Sequence, residues 1–106
     1  MISDETLNEI RQRLVDGFHP DKIILFGSQA RGTADDRSDV DILVICRFEG
    51  ERRKAVLEMD RALGRLEYAF DVLLSTPEEF EVDRLIPGTV SRYADKEGRV
   101  LYGSSS

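Results

Sequence analysis

The chain has 106 residues, of which 34% are charged, and a formal net charge of -6 at pH 7. This composition is typical of a folded domain with a polar surface, and the acidic balance argues against broad nucleic-acid binding, which requires a basic face. No apolar run approaches the ~20 residues of a membrane span, and the N-terminus lacks a signal-peptide pattern. We therefore expect a cytoplasmic protein without direct nucleic-acid or membrane contact.

The length is enough for one modest hydrophobic core, so we expect a single domain over residues 1–103 and a flexible polar tail over 104–106. The only cysteine, Cys46, cannot form an internal disulfide. Because it follows the apolar run ILVI, it is expected to be a small core residue.

The hydrophobic pattern predicts alternating helices and strands. Ser3 is expected to cap the first helix and Gly17 to end it, and Thr76 with Glu79 forms a capping box before a later helix. Helices are predicted over 3–17, about 50–66, 77–85 and 89–97. Strands are predicted over 22–26, 39–46, 69–74 and the final RVLY. This order predicts an α/β (α+β) fold, with a small mixed sheet and helices packed on it.

Two carboxylates, Asp39 and Asp41, lie at the start of the second predicted strand. Alternate residues of a strand share a face, so both side chains point the same way, with Cα atoms ~6.6 Å apart. One or two carboxylates together with substrate phosphates are the usual protein ligands of magnesium. A solvated strand end, with one aspartate capping a turn, is the alternative for this pair.

The turn between the first two strands contains Gly27 and Ser28. Glycine permits close approach of the backbone to a ligand, and a helical turn that opens at Ser28 would direct backbone N–H groups outward. We expect this turn to bind phosphate beside the carboxylates, unless it is only a strand-to-helix cap.

A third carboxylate, Asp71, lies within the apolar run AFDVLL. A buried aspartate without a partner is costly, so a partner is expected. Asp71 either joins Asp39 and Asp41, if the two strands are neighbours, or forms a salt bridge with an arginine.

The string GSQARGTADDRSDVDILV resembles the signature of the DNA polymerase beta-like nucleotidyltransferase superfamily. In that signature an apolar-Gly-Ser turn is followed, about ten residues later, by Asp-apolar-Asp-apolar. The ARG and SDVD strings look like the minimal nucleotidyltransferases, whose partners are commonly HEPN-domain proteins. The resemblance implies the palm-like nucleotidyltransferase fold.

The resemblance also implies roles for the turn. Gly27 and Ser28 would bind the nucleoside triphosphate. Arg31 matches the arginine of the ARG string and would contact phosphate oxygens; a surface ion pair with Asp35 or Asp36 is the alternative.

For the carboxylates, the resemblance implies metal ligation and catalysis. Asp39, Asp41 and Asp71 would hold magnesium, with two ions expected and manganese as an alternative. Asp71 matches the carboxylate that activates the attacking hydroxyl.

The resemblance thus implies a metal-dependent protein adenylyltransferase, the antitoxin of a toxin–antitoxin pair, that transfers AMP from ATP to a tyrosine hydroxyl of a HEPN-type toxin. A non-catalytic antitoxin that neutralises by contact and an aminoglycoside-type small-molecule enzyme are the alternatives. The oligomeric state is left open, with a homo-oligomer and a hetero-oligomer as the alternatives.

Few residues follow the third strand, so the acceptor is expected to dock from outside. Most apolar residues of the C-terminal segment are expected to lie in the core, but a small sheet cannot cover them all, so the remainder could form a docking face: Leu85, Ile86, Val90, Tyr93, Leu101 and Tyr102.

Overall fold

The structure, a computed structural model, describes residues 2–27, 39–64, 66 and 68–103. The helices are α1 (Asp4–Phe18), α2 (Arg52–Leu63), α3 (Pro77–Asp83) and α4 (Val90–Glu97). The strands are β1 (Lys22–Phe26), β2 (Val40–Ile45), β3 (Phe70–Ser75) and β4 (Arg99–Tyr102). Every helix and strand falls within two or three residues of its predicted bounds. The polar helical turn expected after Ser28 lies outside the described residues.

The four strands form one sheet in the order β3-β2-β1-β4. Strand β1 runs antiparallel to both β2 and β4, whereas β2 and β3 are parallel. The predicted mixed sheet is confirmed. Strand β3 lies at one edge of this sheet, and β2 lies between β3 and β1.

Both faces of the sheet carry apolar side chains, and β2 contributes to each. Val40, Ile42 and Val44 pack in the core that includes residues of α1 and α2. Leu43 and Ile45 pack in a smaller cluster with Phe80 of α3 and Ala94 of α4. Because side chains alternate along a strand, Asp41 points to the second face, the one that α3 and α4 cover.

Helix α1 ends at Phe18, one residue later than predicted. Ser3 is its N-cap, and its hydroxyl accepts a hydrogen bond from the Thr6 N–H at 3.2 Å, as expected. Gly17 lies inside the helix, so the prediction that it ends α1 is wrong. His19 ends the helix instead, with φ of 51° and its N–H bonded to the Val15 carbonyl at 3.0 Å.

Cys46 lies in the core, as predicted, with 3% of its surface exposed. Burial raises the pKa of its thiol, and the nearby Asp21 carboxylate raises it further. In the described residues, no helix is long and apolar enough to cross a membrane.

The capping box predicted before α3 is confirmed. The Thr76 hydroxyl accepts from the Glu79 N–H at 3.1 Å, and the Glu79 carboxylate accepts from the Thr76 N–H at 2.9 Å. Arg52 of α2 also donates to both Glu79 carboxylate oxygens, at 2.7 and 2.8 Å. The bond from the Thr76 backbone, followed by those from Arg52, lowers the pKa of Glu79.

We expect Glu79→Gln to lower the free energy of unfolding at pH 7 by at most about 1 kcal/mol, because solvent screens this half-exposed ion pair. Glutamine keeps the capping geometry and removes the charge. A carboxylate whose pKa is lowered in the folded state stabilises the fold at pH values above its ordinary pKa of 4.5. That contribution is lost as the pH falls through the pKa of the folded state. Urea unfolding should therefore show a smaller difference between the two proteins at pH 3 than at pH 7. The exposed Glu58→Gln is the control, and a difference that does not shrink between pH 7 and pH 3 would contradict this account.

Candidate functional site

The parallel pairing of β2 and β3 places two of the three predicted carboxylates side by side. Asp41 is opposite Asp71 in the register of these strands, and Phe26 is opposite Asp41 on the other side. Directly paired residues of neighbouring strands project to the same face. Asp41 therefore lies between Asp71 and Phe26 on the face covered by α3 and α4. Asp39 is the exposed residue just before β2, two positions from Asp41.

The electrostatics of this group of carboxylates centre on Asp41. Burial raises the pKa of Asp41, and the negative charges of Asp71 and Asp39 raise it further. The ionised form is thus disfavoured where no cation is present. A bound cation would reverse this effect, so the arrangement favours a positively charged ligand.

The prediction that Asp71 is buried is wrong. Asp71 is the second residue of the edge strand, and its side chain is exposed. The ion pairs of the described residues include none between Asp71 and an arginine. Asp71 is therefore open to a ligand that approaches from the β3 side.

Gly27 follows β1 and brings its backbone against the Asp41 carboxylate. Its φ of 75° is in the left-handed region, and a Cβ atom at this position would collide with the Asp41 Oδ2 atom. The backbone and the carboxylate therefore approach each other as closely as glycine alone allows. Ser28 and Arg31 lie outside the described residues, so their phosphate contacts stay predictions.

We expect Gly27→Ala to weaken nucleotide binding at least tenfold, because the added methyl group forces the Asp41 carboxylate to rotate away. The positive φ should also cost about 1 kcal/mol of stability. Gly50→Ala is a matched control, since Gly50 has φ of 76° and nothing within 4 Å of the added methyl group. Calorimetric titration with Mg-ATP measures the difference. Equal affinities of the two variants would contradict a role for the Gly27–Asp41 contact.

The fit to a metal ion rests on two residues. In the described parts of the chain, no group of three or more histidine, cysteine, aspartate or glutamate side chains has the geometry to hold a metal. Asp39 and Asp41 on one face, with phosphate oxygens as further ligands, nevertheless match the way magnesium is usually bound. The residues present therefore fit a magnesium ion that arrives with a phosphate-bearing substrate.

A sequence model of the nucleotidyltransferase domain family matches residues 5–104. The chain belongs to this family.

The chain is also similar to two candidate protein adenylyltransferases of Methanocaldococcus jannaschii. One is 50% identical over 52 residues, which are 49% of this chain and 34% of that protein. The other is 38% identical over 55 residues, which are 52% of this chain and 54% of that protein. The matched segments thus span only a third to about half of these relatives.

Solved structures share the fold. A chain in the crystal structure of a toxin–antitoxin with AMP-PNP superimposes with a TM-score of 0.70 and 26% identity, over 92% of this chain and 73% of that one. A chain in the complex of tri-AMPylated Shewanella oneidensis HEPN toxin with MNT antitoxin gives a TM-score of 0.63 at 20% identity, over 97% and 74% of the two chains. The second likeness shows the fold alone. The predicted nucleotidyltransferase fold is confirmed.

The apolar residues predicted as a docking face do not all lie on the surface. Leu101 is 5% exposed and belongs to the core, as was expected of most of these residues, but that expectation is wrong for the rest of the set. The others are exposed: Leu85, Ile86, Val90, Tyr93 and Tyr102. The Tyr93 ring packs edge-on against Phe26 with centroids 6.1 Å apart, which places α4 close to Asp41.

Sequence reasoning missed a cavity of about 560 Å³ beside β3. Leu43 and Leu73 form its floor, α2 contributes Val56 and Leu57, and Val90 stands on the other side. These residues come from separate segments of the chain, and no local motif marks them. We call this cavity the β3-edge pocket.

Proposed function

We propose that this chain is a minimal nucleotidyltransferase that acts as an antitoxin. It transfers AMP from ATP to a tyrosine hydroxyl of a HEPN-type toxin. The observation that carries the proposal is the contact of the Gly27 backbone with Asp41, which lies in register with Asp71. Family membership and the likeness to a toxin–antitoxin structure with AMP-PNP support it. The proposal places the reaction in the cytoplasm, in a hetero-oligomer with the toxin.

In this proposal the triphosphate lies at the end of β1. The backbone at Gly27 and Ser28 contacts phosphate oxygens, and Arg31 adds a charged contact. Asp39 and Asp41 would hold magnesium, or manganese in its place. One or two such ions would supply positive charge that offsets the phosphates and lowers the pKa of the attacking hydroxyl.

Asp71, also predicted as a metal ligand, lies on the far side of Asp41 from Gly27 and has a task of its own. We assign to it the acceptance of the proton from the tyrosine hydroxyl, as a general base. The hydroxyl oxygen then forms a bond to the α-phosphorus, while the bond from that phosphorus to the bridging oxygen breaks. Pyrophosphate leaves, and AMP remains on the tyrosine.

A labelling experiment tests this function. The chain is incubated with magnesium, a HEPN-domain toxin, and ATP labelled at either the α or the γ phosphate. We expect label on the partner from α-labelled ATP only. Neutralisation of the toxin without any label would instead support a contact-only antitoxin. Label that appears on an aminoglycoside but not on the protein would support a small-molecule enzyme.

A further inference from the structure

The outer edge of β3 carries backbone groups that no strand of the described residues pairs with, although one of its carbonyls is bonded by a side chain. The Val40 and Cys46 N–H groups donate to the carbonyls of Ala69 and Ser75, each at 2.9 Å. Since alternate residues of a strand bond to the same side, Val72 and Leu74 direct their backbone groups away from β2. Arg52 donates to the outward carbonyl of Leu74 at 2.9 Å. In the described residues no strand pairs with this edge, because β3 is the last strand of the sheet.

The β3-edge pocket opens along this same edge. Both faces of β3 contribute to its lining, with Val72 on one face and Leu73 on the other. Two apolar side chains on opposite walls are about half exposed: Leu57 of α2 at 48% and Val90 of α4 at 44%. A pocket with this lining suits an apolar or aromatic side chain.

The position of the pocket relative to the carboxylates indicates what it binds. Asp71 and Leu73 project from the same face of β3, two residues apart, which corresponds to ~6.6 Å. Gly27, on the opposite side of Asp41, belongs to the part of the site assigned to the triphosphate. The side of Asp71 that faces the edge of the sheet is thus left for the group that receives AMP.

We propose that the β3-edge pocket binds an apolar side chain of the protein acceptor, carried on an extended segment that runs along β3 and places the acceptor hydroxyl at Asp71. This inference rests on the proposed protein adenylyltransferase function. The rise of ~3.3 Å per residue places the anchoring side chain about two to four residues from the modified hydroxyl. The enzyme would therefore select a tyrosine that has an apolar residue a few positions away in the acceptor sequence.

Three charge-matched variants test the pocket. Leu57→Glu and Val90→Glu put a carboxylate on its two walls, while Val82→Glu alters an exposed residue of α3 that does not line the pocket. With the same HEPN-domain toxin as acceptor, we expect KM for the toxin to rise about tenfold or more in the two pocket variants, since a charge there must be desolvated when the anchor binds. Mg-ATP affinity should stay at the parental value, and Val82→Glu should behave as the parent.

The outcomes separate this inference from the proposed function. If the parent transfers no AMP, the proposed function fails. If the parent transfers AMP and all three variants keep its KM, the pocket inference alone fails. An equal rise in all three variants would assign acceptor binding to a broader apolar surface and would also overturn the pocket.

Crosslinking gives a second measurement. A benzophenone attached at Val90→Cys should crosslink to acceptor residues within about four positions of the AMP-modified one, as the strand spacing requires. Attachment at Val82→Cys should not give that crosslink. Cys46 is buried and leaves the new thiol as the reactive one. A crosslink from position 90 to a distant segment of the acceptor would contradict the proposal.

Discussion

Asp39→Asn combined with Asp41→Asn is expected to abolish the rise in melting temperature that Mg-ATP gives the parent chain. A ligand that binds the native state at 100 times its Kd stabilises by about 2.7 kcal/mol, which corresponds to a rise on the order of ten degrees for a domain of this size. Asparagine keeps the size of each side chain and removes the charges that magnesium requires. The shift should therefore disappear while the fold is retained.

The unliganded double variant provides the internal check of that expectation. Burial and the charges of Asp71 and Asp39 raise the pKa of Asp41, so its ionised form destabilises the free protein. The free variant should then melt at or above the parental temperature. Asp16→Asn with Asp60→Asn removes two exposed charges elsewhere and should keep the full Mg-ATP shift. A shift of parental size in the Asp39 and Asp41 variant would refute the assignment of the metal ligands.

Local sequence signals were sufficient for most of the sheet and its helices. Strand β1 has its predicted bounds because an uninterrupted apolar run, KIILF, ends at the left-handed Gly27. The capping box of Thr76 and Glu79 likewise depends on residues three positions apart. Such features were predictable because the interactions that produce them lie within a few residues.

Asp71 shows where this reasoning failed. Its apolar neighbours suggested burial, but residues at adjacent strand positions project to the opposite face and say little about the face of Asp71 itself. Exposure here follows from the order β3-β2-β1-β4, which places β3 at the edge. Only the pairing of distant segments determines that order. The β3-edge pocket escaped prediction for the same reason, since its walls come from α2, β3 and α4.

Asp71→Asn is expected to separate catalysis from nucleotide binding. Asp71 faces Asp41 from β3, whereas Gly27 follows β1 and lies on the other side of Asp41. Mg-ATP affinity should thus stay within severalfold of the parent. Loss of a general base should cut AMP transfer to the HEPN-type acceptor by about 10²–10⁴-fold.

Because Asp71 is exposed, its replacement should change catalysis without disturbing the packing of the core. The side chain has no ion pair with an arginine among the described residues, and its charge disfavours ionised Asp41, so the variant should melt at or above the parental temperature. Acceptor affinity, measured by calorimetry, should also be retained, because the anchoring pocket is intact. Loss of transfer with both affinities preserved would support Asp71 as the base that receives the hydroxyl proton. Unchanged transfer would remove it from the mechanism, and full neutralisation of the toxin in cells by an inactive variant would favour an antitoxin that acts by contact.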